Sequence, residues 1–177
     1  MERQYRFIVN GSTHDLMASP HETLLDTLRD RLGLTGAKEG CNEGECASCT
    51  VLLNGRPVNS CLVLVGDAAG KSVITIEGLA SRRAEAPGEI DNGDPHPVQK
   101  AFVSMGGIQC GYCTPGMILS AFALLGEQPN PTPDDIKFYL AGNICRCTGY
   151  NKIVAAVQAA ARDMLATAES SPMRRLA

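Results

Sequence analysis

Eight cysteines in two separated sets constrain this chain more than any other feature of its sequence. The first set lies in the N-terminal half: Cys41, Cys46, Cys49 and Cys61. The second set lies in the C-terminal half: Cys110, Cys113, Cys145 and Cys147. The last two cysteines are separated by a single residue, and side chains at positions i and i+2 rarely meet the geometry of a disulfide. We therefore expect the thiols of this pair to be ligands of a metal centre that is completed by other cysteines.

The spacing of the first set predicts a [2Fe–2S] cluster. It follows the plant-type ferredoxin pattern C-x4-C-x2-C…C, with Cys61 as the last ligand. A cluster bound by four thiolates concentrates negative charge, so backbone N–H groups must point at its sulfurs from a closely wrapped loop. Gly40 and Gly44 give this loop the backbone freedom that such a wrap requires.

The second set predicts another four-thiolate site, because each of its cysteine pairs stands just before a predicted helix. The positive ends of two helix dipoles would then face an anionic centre. Zinc is the alternative for either set, since four cysteines in close pairs also bind Zn²⁺ tetrahedrally. A disulfide framework is disfavoured for a chain expected in a reducing compartment. A thioredoxin-like CxxC motif is disfavoured because its βαβ setting is missing.

Hydrophobic patterning predicts an α+β fold in which strands come first and helices follow. Asn10-Gly11 and Asn54-Gly55 lie between apolar runs and predict two β-hairpins, and SVITIEG predicts a further strand. A helix is predicted from an N-cap at Ser19, with Glu22 completing a capping box. The predicted units are a first domain over 1–80, a linker over 81–95, a helical domain over 96–166 and a disordered tail over 167–177.

Charge and hydropathy exclude two classes of partner. The formal net charge is −3 and no run of Lys or Arg exceeds two residues, which argues against a nucleic-acid-binding surface. No apolar stretch approaches the length that spans a bilayer, so no membrane partner is expected. The N-terminus lacks the apolar region of a signal peptide, and we expect a cytoplasmic protein.

Four motifs resemble the iron–sulfur subunit of the molybdenum hydroxylases, the group that includes xanthine dehydrogenase and carbon monoxide dehydrogenase. They are GCNEGECASCTVLLNG, SCLVLV, IQCGYCTPGMILSA and NICRCTGY, and the resemblance covers roughly residues 5–165. It implies a β-grasp ferredoxin-like domain followed by a four-helix bundle, each holding one [2Fe–2S] cluster. The family commonly has Cys-Gly-Ala-Cys where this chain has Cys46-Ala47-Ser48-Cys49.

The resemblance also implies a place in an electron-transfer chain. A molybdopterin-binding large subunit would lie next to the second cluster, with Gln109 and Cys147 in contact with the pterin. An FAD-binding subunit would face the first cluster, and the chain alone would turn over no substrate. A zinc-stabilised binding module and a stand-alone ferredoxin are the alternative functions. The substrate is not predicted, because specificity belongs to the large subunit.

Overall fold

The computed structural model of the protein describes residues 1–80 and 94–170. Within these ranges the N-terminal part contains a five-stranded mixed sheet with short helices, and the C-terminal part is helical. This mixture of a sheet and helices confirms the predicted α+β class. The predicted linker over 81–95 lies outside the described residues as far as position 93, so the division into domains stays a prediction.

The sheet is built from five short strands: β1 (Arg3–Val9), β2 (Ser12–Ala18), β3 (Thr50–Leu53), β4 (Arg56–Asn59) and β5 (Ser72–Ile74). Across the sheet they lie in the order β2-β1-β5-β3-β4. β1 pairs antiparallel with β2 and parallel with β5, while β3 pairs antiparallel with both β4 and β5. β3, which follows Cys49, and β4, which precedes Cys61, therefore lie together at one side of the sheet.

Both predicted hairpins are confirmed, and each turns at an Asn-Gly pair. Asn10 and Gly11 have φ angles of 52° and 85°, and Asn54 and Gly55 have φ angles of 49° and 82°. Two consecutive positive φ angles are the requirement of a type I′ turn, and asparagine and glycine adopt them at low cost. The second of these turns joins β3 to β4 and so fixes the strand pair that flanks the first cysteine set.

The last strand is shorter than SVITIEG predicts. β5 ends at Ile74, and a 3₁₀ turn follows over Ile76–Gly78. The reason lies in the first hairpin, where the side chain of Asn10 accepts a hydrogen bond from the backbone N–H of Thr75 at 2.9 Å. A side chain thus satisfies the amide that would have continued the strand ladder, and the chain leaves the sheet at this point.

The first helix begins later than predicted. Its N-cap is Thr23 rather than Ser19, and the Thr23 hydroxyl and Asp26 form a reciprocal capping box for α1 (Leu24–Asp26). Ser19 to Glu22 form a turn in which the Glu22 N–H donates to the Ser19 carbonyl at 3.0 Å. Thr23 is extended and bridges to Leu64, and the first helical amide, that of Leu24, donates to the carbonyl of Val63 at 2.7 Å. Both candidate caps satisfy the local sequence rule, and a tertiary contact decides between them.

Glu22, the acid predicted to complete a capping box, binds a side chain instead. α1 continues as a π-helical segment over Thr27–Arg31, and the Arg31 guanidinium contacts the Glu22 carboxylate with two N–O distances of 2.7 Å. This bidentate contact lowers the pKa of Glu22. The segment ends before Gly33, which has a φ angle of 67°.

The other helices are α2 (Val65–Ala68), α3 (Pro97–Ser104), α4 (Thr114–Glu127), α5 (Pro133–Tyr139) and α6 (Asn151–Ser170). α4 begins at Thr114-Pro115, and Thr132 caps α5 through a capping box with Asp135. α6 continues to Ser170 and so includes the first residues of the predicted tail, because Ala and Glu there favour helix. The rest of the predicted tail, 171–177, lies outside the described residues. Among the described residues, no helix combines the length and apolar character needed to cross a membrane.

Two hydrophobic cores lie on the opposite faces of β3. Val51 is fully buried in the core that includes α1, whereas Leu52 is fully buried in the core formed with α3, α4 and α6. Alternate residues of a strand point to opposite faces, so these neighbours enter different cores. Ile74 and Leu79 join Leu52 in the helical core. The helices therefore pack directly on the sheet, which brings the two cysteine sets close to each other.

Candidate iron–sulfur sites

The first cysteine set gathers at the β3–β4 side of the sheet. Cys41, Cys46 and Cys49 come from the loop that leads into β3, and Cys61 lies in a 3₁₀ turn directly after β4. The thiol of Cys41 contacts that of Cys46, and the thiol of Cys49 contacts that of Cys61. The four predicted ligands are thus brought together as two pairs.

Three backbone amides point at one thiol of this set, that of Cys41. The N–H groups of Glu43, Glu45 and Cys46 each point at Cys41 Sγ over 3.4 Å. These hydrogen bonds lower the pKa of the Cys41 thiol to about 7. Burial acts in the opposite direction on Cys61 and raises its pKa to about 11. The loop therefore already stabilises negative charge at the Cys41 sulfur.

The two glycines predicted to shape this loop are both needed, for different reasons. A Cβ atom at Gly40 would lie 2.6 Å from Cys46 Sγ, so a side chain there would occupy the space of the thiol. Gly44 has a φ angle of 80°, and a Cβ atom there would lie 2.3 Å from Leu62 Cδ1. Each position accepts glycine alone without rearrangement of its neighbours.

Ala47 is a position at which this chain differs from the common motif of the family that it resembles. Its φ angle is 53°, in the left-handed region that favours glycine, and the family motif commonly has glycine at this position. The alanine is held there by its surroundings, since its side chain is buried and its carbonyl accepts the Thr50 hydroxyl at 2.7 Å. The exchange of glycine for alanine therefore leaves the ligand spacing intact but places a residue under backbone strain beside the site.

The second cysteine set lies where two helices begin. Cys113 is the N-cap of α4, and Cys145 and Cys147 lie in the loop before α6, as predicted. The Sγ atoms of Cys110 and Cys147 are 3.6 Å apart, and the thiols of Cys113 and Cys145 also contact each other. Here too the four predicted ligands form two pairs.

The two pairs of the second set differ in their surroundings. Cys110 and Cys147 are exposed, whereas Cys113 and Cys145 are half-buried. Burial raises the pKa of Cys113 to about 12. Burial also acts to raise the pKa of Cys145, but hydrogen bonds led by that of the Thr148 hydroxyl outweigh it, so this pKa is lowered. One end of the site is therefore open to a partner, and the other end is enclosed by the protein.

This pairwise arrangement fits a [2Fe–2S] cluster in each site. Such a cluster takes two thiolates on each of its two irons, whereas a zinc ion needs all four ligands around one point at about 2.3 Å. Among the described residues, no three or more histidine, cysteine or acidic side chains are grouped around one point as a single ion would require. The amides at Cys41 and the space left by Gly40 suit a bulky anionic group as well.

Backbone contacts join the two sites directly. The N–H of Ile144, beside Cys145, donates to the carbonyl of Cys46 at 3.1 Å. The hydroxyl of Tyr112, between Cys110 and Cys113, donates to the carbonyl of Glu39 in the first loop. A single hydrogen bond thus connects a cysteine of the first set to the neighbour of a cysteine of the second set.

The sequence did not reveal the residues that support the second loop. Asn143 is buried and its side-chain amide lies 3.4 Å from the carbonyl of Ala47. Tyr150 has a φ angle of 66°, and its hydroxyl accepts the N–H of Cys145 at 2.8 Å. The sequence does not indicate that Tyr150 adopts a left-handed backbone, because this residue is not glycine. It does not indicate the contact of Asn143 either, because Ala47 is remote along the chain. Gln109, predicted to contact a pterin, lies exposed beside Cys110.

Comparison with known proteins agrees with the geometry of both sites. A family described as "2Fe-2S iron-sulfur cluster binding domain" matches residues 7–73, and one described as "[2Fe-2S] binding domain" matches residues 75–158. The nicotinate dehydrogenase small FeS subunit of Eubacterium barkeri is 48% identical over 150 residues, which cover 85% of this chain and 89% of the relative. The chain belongs to the iron–sulfur small subunits of the molybdenum hydroxylase family.

Other members of this iron–sulfur subunit family show the same extent of similarity. The iron-sulfur-binding subunit of Escherichia coli aldehyde oxidoreductase is 43% identical over 171 residues, covering 88% of this chain and 70% of the relative. A chain of quinoline 2-oxidoreductase from Pseudomonas putida superimposes with a TM-score of 0.83 at 37% identity, covering 93% of this chain and 97% of that one. These relatives are oxidoreductase subunits, as was predicted for this chain.

Proposed function

We propose that this iron–sulfur subunit transfers electrons, one at a time, from a molybdopterin centre on a large subunit to flavin or another acceptor. The observation that carries the proposal is the pair of four-cysteine sites joined by a backbone hydrogen bond between Ile144 and Cys46. An isolated ferredoxin needs one such site. Two adjacent sites in one chain suit the relay of electrons between two partners.

Each site would hold one [2Fe–2S] cluster, which supplies a one-electron acceptor when bound. The first would be held by Cys41, Cys46, Cys49 and Cys61, and the second by Cys110, Cys113, Cys145 and Cys147. The residues of this chain supply the ligands, exclude water from the buried thiols and direct hydrogen bonds at sulfur. In this way the protein sets the potential of each site, while the redox chemistry belongs to the cluster.

The exposed end of the second site indicates from which side electrons would enter this chain. Cys110 and Cys147 are exposed together with Gln109, so a pterin on a partner could approach this end closely. Gln109 would hydrogen-bond that pterin, and Cys147 would both ligate iron and contact it. The first site would then face FAD on another subunit. We further propose that the described sheet over 1–80 is a β-grasp ferredoxin-like domain and that residues 96–166 form a four-helix bundle.

The lengths of the relatives support a partner that carries the molybdopterin. The aldehyde oxidoreductase of Desulfovibrio gigas superimposes with a TM-score of 0.83 at 38% identity, covering 96% of this chain and only 18% of that longer one. The parts that the longer relative carries in one polypeptide would be divided among several subunits here. We place the complex in the cytoplasm, because eight thiols that serve as ligands suit a reducing compartment.

The test is iron and acid-labile sulfide per chain in protein purified anaerobically from its host, with an EPR spectrum after reduction by dithionite. Four irons, four sulfides and two distinguishable signals are the expected result. Zinc without sulfide and without an EPR signal would establish the zinc-stabilised binding module instead. A fully loaded monomer that co-purifies with no molybdenum subunit would favour a stand-alone ferredoxin.

A further inference from the structure

The hydroxyl of Thr148 occupies a defined position beside a ligand of the second site. Its oxygen lies 3.1 Å from Cys145 Sγ and also accepts the backbone N–H of Tyr150 at 3.3 Å. A thiolate that binds iron has no proton and can only accept. The single proton of the Thr148 hydroxyl therefore points to the sulfur, while a lone pair of the same oxygen accepts the N–H of Tyr150.

Tyr150 engages one of the backbone donors of this loop. The backbone N–H of Cys145, which could turn towards the cluster, donates instead to the Tyr150 hydroxyl at 2.8 Å. That hydroxyl in turn reaches the carbonyl of Asn143 at 3.4 Å. At the first site three backbone amides point at Cys41 Sγ. At the second site the backbone amides of Cys147 and Thr148 also act on Cys145 Sγ, and the Thr148 hydroxyl adds a side-chain donor to them.

We propose that Thr148 is a positioning residue that donates a hydrogen bond to the Cys145 thiolate and raises the reduction potential of the second cluster. The inference rests on the proposed function, which places a [2Fe–2S] cluster at this site. Reduction adds one electron, supplied from the molybdopterin side, and no bond forms or breaks. A donor at a thiolate stabilises the more negative, reduced state more than the oxidised state, so the site becomes a better acceptor.

The substitutions that test this remove the hydroxyl with little change of shape. Thr148→Val has nearly the size of threonine and lacks the hydroxyl, whereas Thr148→Ser keeps it. Thr13→Val removes an exposed hydroxyl in β2 and is the matched control. The measurement is the midpoint potential of each cluster, followed by EPR in the complete complex. The second cluster's signal is identified as the one that Cys147→Ser perturbs.

We expect Thr148→Val to lower the potential of the second cluster alone. At a fixed potential the ratio of reduced to oxidised cluster should fall roughly tenfold, which corresponds to about 59 mV for one electron. Thr148→Ser and Thr13→Val should leave both potentials near those of the unmodified protein. The first cluster serves as an internal reference, since its ligands do not contact Thr148.

Three outcomes would overturn the proposal. The first is a second-cluster potential that Thr148→Val leaves unchanged, and the second is an equal shift in Thr148→Ser. The third is loss of the second cluster in both Thr148→Val and Thr148→Ala while Thr148→Ser loads fully, because the hydroxyl would then be needed for assembly only. An unmodified protein without iron or EPR signals would instead refute the proposed function, and iron analysis separates that case.

Discussion

At the scale of single residues, the carbonyl oxygen of Ala47 connects the two sites. It accepts the hydroxyl of Thr50 at 2.7 Å, lies 3.4 Å from the buried amide of Asn143, and faces the first turn of α4 at Gly116. A Cβ atom at Gly116 would lie 2.3 Å from this oxygen. The left-handed backbone of Ala47 directs its carbonyl towards α4, so the strain at this residue has a structural role.

Replacing Gly116 should therefore destabilise the protein. We expect Gly116→Ala to reduce the free energy of unfolding by about 1–3 kcal/mol, because the backbone of α4 must move away from Ala47. Gly126 lies in the same helix with nothing within 4 Å of its Cβ position. Gly126→Ala should stabilise by up to about 1 kcal/mol through helix propensity. Thermal unfolding measures both variants, and equal effects would contradict the close packing at Gly116.

Cys147 should be needed for one cluster only. Its thiol pairs with Cys110, and the residues that contact the first loop, among them Tyr112 and Ile144, do not include it. We expect Cys147→Ser to remove or perturb one EPR signal and to leave the other with its full intensity and two irons. Loss of both signals in a chain that remains folded would show that the two sites do not assemble independently.

The grouping of the eight cysteines into two sites could be predicted from the sequence, because their spacing along the chain is that of cluster-binding motifs. Asn143 could not, because the carbonyl it contacts belongs to Ala47 in the other half of the chain. The contact of Thr148 with Cys145 was not predicted, for a related reason. Threonine before a helix predicts a cap, and only the structure shows its hydroxyl 3.1 Å from Cys145 Sγ.

At the scale of secondary structure elements, α1 shows how tertiary contacts choose between two valid local signals. Ser19 with Glu22 and Thr23 with Asp26 both have the spacing of a capping box. Ser19 to Glu22 form a turn, and Thr23 is extended and bridges to Leu64 directly before the helix. Hairpins are predicted more reliably, since Asn-Gly turns depend on the backbone preferences of two adjacent residues.

The choice of cap can be tested by a pair of alanine substitutions. Thr23→Ala removes the hydroxyl that accepts the Asp26 N–H at 3.1 Å, and we expect a loss of about 1 kcal/mol. Ser19→Ala should change stability by less than about 0.5 kcal/mol, because its hydroxyl makes only a long contact of 3.4 Å with the N–H of His21. Chemical denaturation gives the free energy of unfolding of both variants. A larger loss for Ser19→Ala than for Thr23→Ala would show that Ser19 is the N-cap, as the sequence predicted.

At the scale of the whole molecule, the two cysteine sets are held by a single packed assembly of sheet and helices. Leu52, Ile74 and Leu79 from the N-terminal part lie in the same core as Phe102, Met117 and other buried residues of the helices. The hydrogen bond between Ile144 and Cys46 crosses the same boundary. The sequence predicted two units with separate clusters, but apolar periodicity does not reveal which face of a strand another unit will cover.

This shared core predicts that the two parts lose their structure together. Leu52 is 0% exposed on β3 and packs against the helices, so Leu52→Ala should cost about 2–5 kcal/mol through lost burial and a cavity. Because that core supports both loops, we expect both EPR signals to disappear over one common, lowered temperature range. Val103→Ala, in a side chain that is 71% exposed, should leave that range unchanged. Separate losses, with the first cluster surviving the second in Leu52→Ala, would show that the sheet and the helices are stable independently.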